Sequence, residues 1–143
     1  MELSGVTEIL GGKKVLGQSI QNQMDLIELS NKGITKDALA HLAEFFSLRI
    51  NQMAALLPVT ERTIQRYAAK THFNRVVSEQ ILQVAEVAAK GTDVFEDKDK
   101  FLSWMNHPSK ALCNRTPMSL LRSRFGAQAV LDELGRIEYG VVS

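Results

Sequence analysis

The stretch Gln52-Met53-Ala54-Ala55-Leu56-Leu57-Pro58-Val59-Thr60-Glu61-Arg62-Thr63-Ile64-Gln65-Arg66-Tyr67 reads as two short helices around a tight turn, the pattern of a helix-turn-helix. Two helices that cross steeply need a small residue where they touch, and Ala54 supplies it. They also need apolar pins on either side of the turn, and Leu57, Val59 and Ile64 fit. Thr60 can cap the second helix by accepting one of its orphan amide bonds. That register leaves Arg62, Thr63, Gln65 and Arg66 pointing away from the core, with Arg62 and Arg66 about one helical turn apart. Thr60, Arg62, Thr63, Gln65 and Arg66 are therefore the candidate DNA-binding residues, able to reach phosphates and base edges in a major groove. Pro58 stands where many such turns carry glycine; it fixes φ negative, so this turn takes a form without a left-handed residue at that point. From the pattern alone, a plain helical hairpin is the competing reading.

Charge follows the same stretch. From Arg49 to Arg75 the bases Arg49, Arg62, Arg66, Lys70 and Arg75 face the single acid Glu61, giving +4, so the remainder of a chain of net charge +1 carries −3. A local basic stretch suits a phosphate backbone and equally suits an ordinary solvated helical face.

Outward from the motif, glycines and prolines divide the chain into segments of helical length, which predicts an all-α fold. A brief extended piece near Lys14, Val15 and Leu16 is the one strand candidate. Residues 22–31 form a helix that Gly33 ends, and Thr35 caps a helix with Leu39, Leu42, Ala43 and Phe46 on one face. Helices are expected over 51–57 and 61–69. Ser78 caps the next, which runs to Gly91 with Ile81, Leu82, Ala85 and Ala88 inward. An acidic linker around Asp93, Glu96, Asp97 and Asp99 then marks a boundary between an N-terminal lobe, 1–91, and a C-terminal lobe, 92–143. Beyond it, Phe101, Leu102, Trp104 and Met105 form an apolar cluster. Thr116-Pro117 starts a helix that stops at Gly126, its Arg122 and Arg124 offsetting the dipole. The last helix carries Val130, Leu131, Leu134 and Ile137, and Gly135 within it suggests a close helix approach. Phe101, Trp104 and Phe125 are assigned to the core.

With 143 residues, 45% hydrophobic and 23% charged, the chain is of one-domain size and far from the composition of disorder. No signal-peptide pattern and no run of about 18 apolar residues is visible, so the expected compartment is the cytoplasm, with no membrane partner. Cys113 has no second cysteine to pair with, and His41, His72 and His107 lack metal-ligand spacing. No phosphate loop, nucleophile elbow or carboxylate pair is present, so neither an enzyme nor a cofactor or metal site is expected.

Three motifs then carry a resemblance: Thr63-Ile64-Gln65-Arg66; Trp104-Met105-Asn106-His107-Pro108 with Ala111-Leu112; and Arg115-Thr116-Pro117-Met118-Ser119-Leu120-Leu121. The closing Gly126, Val130 and Leu134-Gly135-Arg136-Ile137-Glu138-Tyr139-Gly140-Val141 match as well. The chain resembles the Xre, MbcA and ParS antitoxins of bacterial toxin–antitoxin pairs, in which an Xre/Cro-like helix-turn-helix precedes a C-terminal toxin-binding domain.

The resemblance implies a cognate RES-domain toxin that consumes NAD, and an antitoxin whose C-terminal domain and tail cover the toxin's active-site entrance. Mapped here, the toxin-binding residues are Arg136, Glu138, Tyr139, Gly140, Val141, Val142 and Ser143. Glu138 or the Ser143 carboxylate could meet the cationic groups that hold an anionic dinucleotide. Helix-turn-helix readers commonly work as dimers, so a homodimer on a roughly palindromic operator is expected, with repression of the chain's own promoter. The alternative is a stand-alone repressor whose C-terminal lobe senses a small ligand.

Overall fold

The computed structural model describes residues 3–140, and the protein is all-helical. Among the described residues, extended pairing is limited to two isolated antiparallel bridges, Thr35 with His72 and Ser109 with Arg115.

Helix α1 (Leu3–Ile9) leads into α2 (Lys13–Leu16), a single turn where an extended piece was expected. Gly17 decides the matter: at φ 84° it closes the turn, its N–H bonded to the Lys13 carbonyl, and Leu16 is buried. Helix α3 (Gln23–Lys32) is capped by Asn22, whose side chain accepts from the Asp25 N–H, and is ended by Gly33. Helix α4 (Lys36–Phe45) begins at Thr35, which accepts from the Ala38 N–H, and buries Ala38, Leu39, Leu42 and Ala43. A 3₁₀-helix (Ile50–Leu56) and α5 (Glu61–Arg66) follow, the latter three residues shorter than the expected 61–69.

Helix α6 (Arg75–Phe95) is the centre of the molecule, and α1, α3, α7 and α8 all pack on it. It starts earlier and ends later than expected. Asn74, not Ser78, is the cap, accepting from the Val77 N–H at 2.9 Å. Ser78 is fully buried instead, its hydroxyl accepting from the Ile34 N–H at 2.8 Å and donating to the Phe73 carbonyl. Gly91 does not stop the helix, because the position serves packing: the Phe101 ring fills the space a Cβ would need. The acidic residues are thus no linker. Asp93 lies within α6, Glu96 ends it with φ 55°, and Asp97 caps α7 (Lys98–Met105).

After α7 come two 3₁₀ turns, Lys110–Leu112 and Met118–Leu120, and then α8 (Arg124–Glu138). Thr116-Pro117 therefore opens a single turn. Ser123 restarts the chain by accepting from the Gly126 N–H at 2.9 Å, and Gly126 sits in the first turn of α8, where a Cβ would overlap the Leu120 carbonyl. Arg124 is consequently at a helix start and not at an end, and it faces Glu79 of α6 at 3.8 Å. Among the described residues, nothing beyond its own helix lies within 4 Å of a Cβ built on Gly135, so no close helix approach is seen there. Phe125 is corrected too: at 92% exposure it is no core residue. Phe101 and Met105 are fully buried, and Trp104 packs half-buried against Phe95 and Phe101.

Buried apolar residues on both sides of position 91, from Val6 to Leu134, form one continuous cluster. The side-chain amide of Gln80, buried in α6, donates to the Leu121 carbonyl and ties the central helix to the second 3₁₀ turn. No buried side-chain nitrogen or oxygen among the described residues lacks a partner, so the core carries no desolvated polar debt.

Candidate functional site

The 52–67 stretch folds as the pins predict. Leu57 and Ile64 are fully buried, Val59 and Ala54 half-buried, and the 3₁₀-helix packs directly on α5. Leu57 leaves the first helix extended, at φ −136° and ψ 152°, and no residue from Leu57 to Thr60 has a positive φ. The proline turn is thus a bend entered and left by extended residues, Leu57 and Thr60, without a left-handed residue. Thr60 Oγ1 accepts from the Thr63 N–H at 3.1 Å and its hydroxyl donates to Thr63 Oγ1 at 3.0 Å, so the two threonines fix each other at the start of α5. At the other end, Lys36 Nζ donates to the Tyr67 carbonyl at 2.9 Å, and the Tyr67 ring lies 5.0 Å from that of Phe73. A helix of six residues is held at both ends.

Arg62, Gln65 and Arg66 are exposed, Thr60 is exposed, and Thr63 is half-buried and bonded to Thr60. Among the described residues, neither arginine takes part in an ion pair. The arrangement leaves two uncommitted guanidinium forks on one side of a fixed helix, the geometry that phosphate and base-edge contacts require.

The residues expected to meet the toxin are less uniform. Arg136 Nε donates to the buried Glu133 carboxylate at 2.8 Å, and Glu138 is engaged by Lys90 Nζ at 2.5 Å. Both lie within α8. Tyr139 is 80% exposed and Gly140 follows at φ 71°. Val141, Val142 and Ser143 lie outside the described residues. Phe125, which the sequence reading assigned to the core, is instead an exposed aromatic on α8. The signal was available: Ala127, Val130 and Leu134 define the inward stripe of α8, and Phe125 is off it once the helix is started at Arg124.

Several other motif residues hold local turns. His107 Nδ1 donates to the Ser103 carbonyl at 2.6 Å, Thr116 Oγ1 accepts from the Ser119 N–H at 3.2 Å, and the Ser109 to Arg115 bridge closes a loop in which Cys113 and Asn114 both have positive φ. Cys113 is exposed. Among the described residues no group of three His, Cys, Asp or Glu side chains is placed to hold a metal. No described helix is long and apolar enough to cross a membrane.

An open groove of about 810 Å³ runs along α6 between α3 and α8, with Leu26, Leu82 and Leu131 in its lining. Glu86 also lines it, and burial raises the pKa of its carboxyl above the ordinary value of 4.5.

Residues 25–86 match a family model described as the antitoxin Xre-like helix-turn-helix domain. Residues 90–140 match one described as the antitoxin Xre/MbcA/ParS C-terminal toxin-binding domain, so the two matched segments are joined inside α6. A protein named Antitoxin Xre from Yersinia enterocolitica is 31% identical over 122 residues, covering 82% of this chain and 81% of its own. Another of that name from Photorhabdus laumondii is 38% identical over 80 residues, covering 55% of this chain and 54% of its own. With a helix-turn-helix and a toxin-binding domain on one central helix, the chain belongs to the Xre/MbcA/ParS family and is an antitoxin of a toxin–antitoxin pair.

Proposed function

We propose that this antitoxin represses its own operon through α5 and silences a RES-domain, NAD-consuming toxin by covering its active site with residues 90–140 and the tail. The observation that carries the reading is the separation of the two surfaces along the chain: uncommitted Arg62 and Arg66 on a doubly fixed helix in one matched segment, and exposed Phe125 and Tyr139 in the other. Charged forks suit a phosphate backbone, whereas large exposed aromatics suit the centre of a protein interface. The chain acts by binding and not by catalysis, as a homodimer on two half-sites, in the cytoplasm where its operator lies.

The test is co-expression with the neighbouring gene, read as growth, cellular NAD and copurification. Rescue of growth, with NAD maintained and a stable complex, is the expected result. A neighbouring product that is harmless alone and does not copurify would overturn the toxin half of the proposal. The second reading, a ligand-sensing repressor, has the groove along α6 in its favour, since leucines beside the partly buried Glu86 and other polar side chains make a mixed lining of the kind that takes a small molecule.

A further inference from the structure

We propose that a second cationic surface, the cleft between α2, the end of α3 and the loop after α5, binds the phosphodiester backbone of the duplex beyond the bases that α5 reads. The proposal rests on the DNA-binding reading of α5 and extends its footprint.

The cleft has a volume of about 390 Å³, and Lys14, Lys32, Lys70 and His72 line it together with one acid, Asp37. Three elements distant in sequence bring these bases to one place. All four are exposed, and among the described residues no ion pair involves any of the three lysines. Asp37 offsets part of this charge without pairing with a lysine among the described residues, its carboxylate lying 3.9 Å from His41. Three lysines against one carboxylate leave the cleft net cationic, and an anion supplied from outside relieves the remaining repulsion. Lys32 alone could be explained as a cation offsetting the C-terminus of α3. Lys14 and Lys70 occupy no such position on helices of useful length.

The cleft is also fixed in relation to α5. Lys70 follows Arg66 by four residues, on a loop clamped to the start of α4: the Lys36 N–H donates to the Thr71 carbonyl at 3.1 Å, the Asp37 N–H to the Ala69 carbonyl at 2.8 Å, and the Phe73 N–H to the Ile34 carbonyl at 2.8 Å. His72 Nδ1 donates to the Gly33 carbonyl at 2.8 Å, which leaves Nε2 as its other ring nitrogen. Lys32 reaches the end of α2, its Nζ 3.3 Å from where a Cβ on Gly17 would stand. Lys70 thus joins the end of α5 to the cleft that Lys32 and Lys14 also line. Lys14 precedes residue 25, so this wall of the cleft lies outside the matched helix-turn-helix segment. Exposed lysines on a cleft, without a side chain that reads bases, suit phosphate and not sequence.

The test is fluorescence anisotropy of the full chain against two labelled duplexes, its own upstream DNA and an unrelated sequence of equal length, across a salt series. Lys14→Ala/Lys32→Ala is compared with wild type and with the charge-matched control Lys100→Ala/Lys110→Ala. Each lost phosphate contact lowers the slope of log affinity on log salt by about 0.9, so the double variant is expected to flatten it by about 1.8. It should also weaken both duplexes by the same factor, roughly tenfold or more near 0.1 M salt, at unchanged far-UV circular dichroism. A slope equal to that of the control variant overturns the cleft assignment while leaving α5 as the reading head. Wild-type protein that binds neither duplex overturns the α5 reading and the cleft with it.

Discussion

The Phe101 ring occupies the space that a Cβ on Gly91 would fill, so the helix that joins the two matched segments is notched to receive the first aromatic of α7. An alanine in a helix interior is ordinarily better than glycine by about 1 kcal/mol. At Gly91 the added carbon would press on a fully buried ring hemmed by Phe45, Phe95 and Trp104 at centroid distances of 6.2–6.5 Å. Overpacking of this kind costs about 1–3 kcal/mol, so Gly91→Ala is expected to lose up to about 2 kcal/mol net. Gly135→Ala, with empty space around the new carbon, should gain about 1 kcal/mol. Urea melts of the two variants should move in opposite directions. A Gly91→Ala protein more stable than wild type, as Gly135→Ala should be, would contradict the notch.

Replacing Arg62 and Arg66 with alanine should abolish the gel shift of upstream DNA while leaving the toxin complex intact. Both side chains are exposed and neither contributes an ion pair among the described residues, so stability should change by less than about 0.5 kcal/mol. An undiminished shift would remove α5 from the interface. A simultaneous loss of toxin copurification would show that the two surfaces are not separable.

What was legible in the sequence was local chemistry. The Thr35 and Thr60 caps, the Leu57 and Ile64 pins and the Gly33 stop all depend on neighbours within a few residues, and all are found where periodicity puts them. What was missed depends on partners far along the chain. Ser78 has a cap's chemistry, but its hydroxyl is taken by Ile34, 44 residues away, and Asn74 caps instead. Gly91 resembles a stop because sequence does not reveal the Phe101 ring beside it. Gly126 was misread for a related reason: its missing Cβ makes room for the Leu120 carbonyl at a helix start. At the candidate site the same division holds. The direction of the α5 side chains follows from a helical register, whereas the engagement of Glu138 by Lys90 requires α6 and α8 to be side by side.

Glu86 makes stability depend on pH in a defined direction. Burial raises its folded pKa, so the folded protein holds this proton more tightly than the unfolded chain. The stabilising contribution is therefore complete below the ordinary value of 4.5 and is lost as pH rises through the elevated folded value. Glu86→Gln, which carries no charge at any pH, should melt at a higher temperature than wild type at pH 7, and the difference should shrink towards zero below about pH 4. Melting curves between pH 4 and 8 would measure it. A variant less stable than wild type at pH 7 would mean that the carboxylate has a favourable partner in the groove.

Phe125 holds no part of the core together at 92% exposure, so Phe125→Ser should shift the melting temperature little. An exposed aromatic in a toxin-binding domain is well suited to be an interface anchor, for which truncation costs about 2 kcal/mol or more, some thirtyfold in affinity. Titration calorimetry against the co-expressed toxin would compare the variant with wild type. Equal affinity would make Phe125 a bystander.

The tail prediction turns on which groups are free to leave the helix. Glu138 reaches Lys90 at 2.5 Å, with its side chain 31% exposed and that of Lys90 18% exposed. It can serve a cationic toxin pocket only by giving up that ion pair. Glu138→Gln should therefore neutralise the toxin nearly as well as wild type, whereas deletion of Gly140 to Ser143 should release toxin activity without unfolding the antitoxin. Growth under co-expression reads the first effect and circular dichroism of the purified truncation reads the second. Full neutralisation by the truncated chain would move the inhibitory contact from the tail to the body of residues 90–140. Loss of neutralisation in Glu138→Gln alone would show that the carboxylate exchanges Lys90 for a toxin cation on binding.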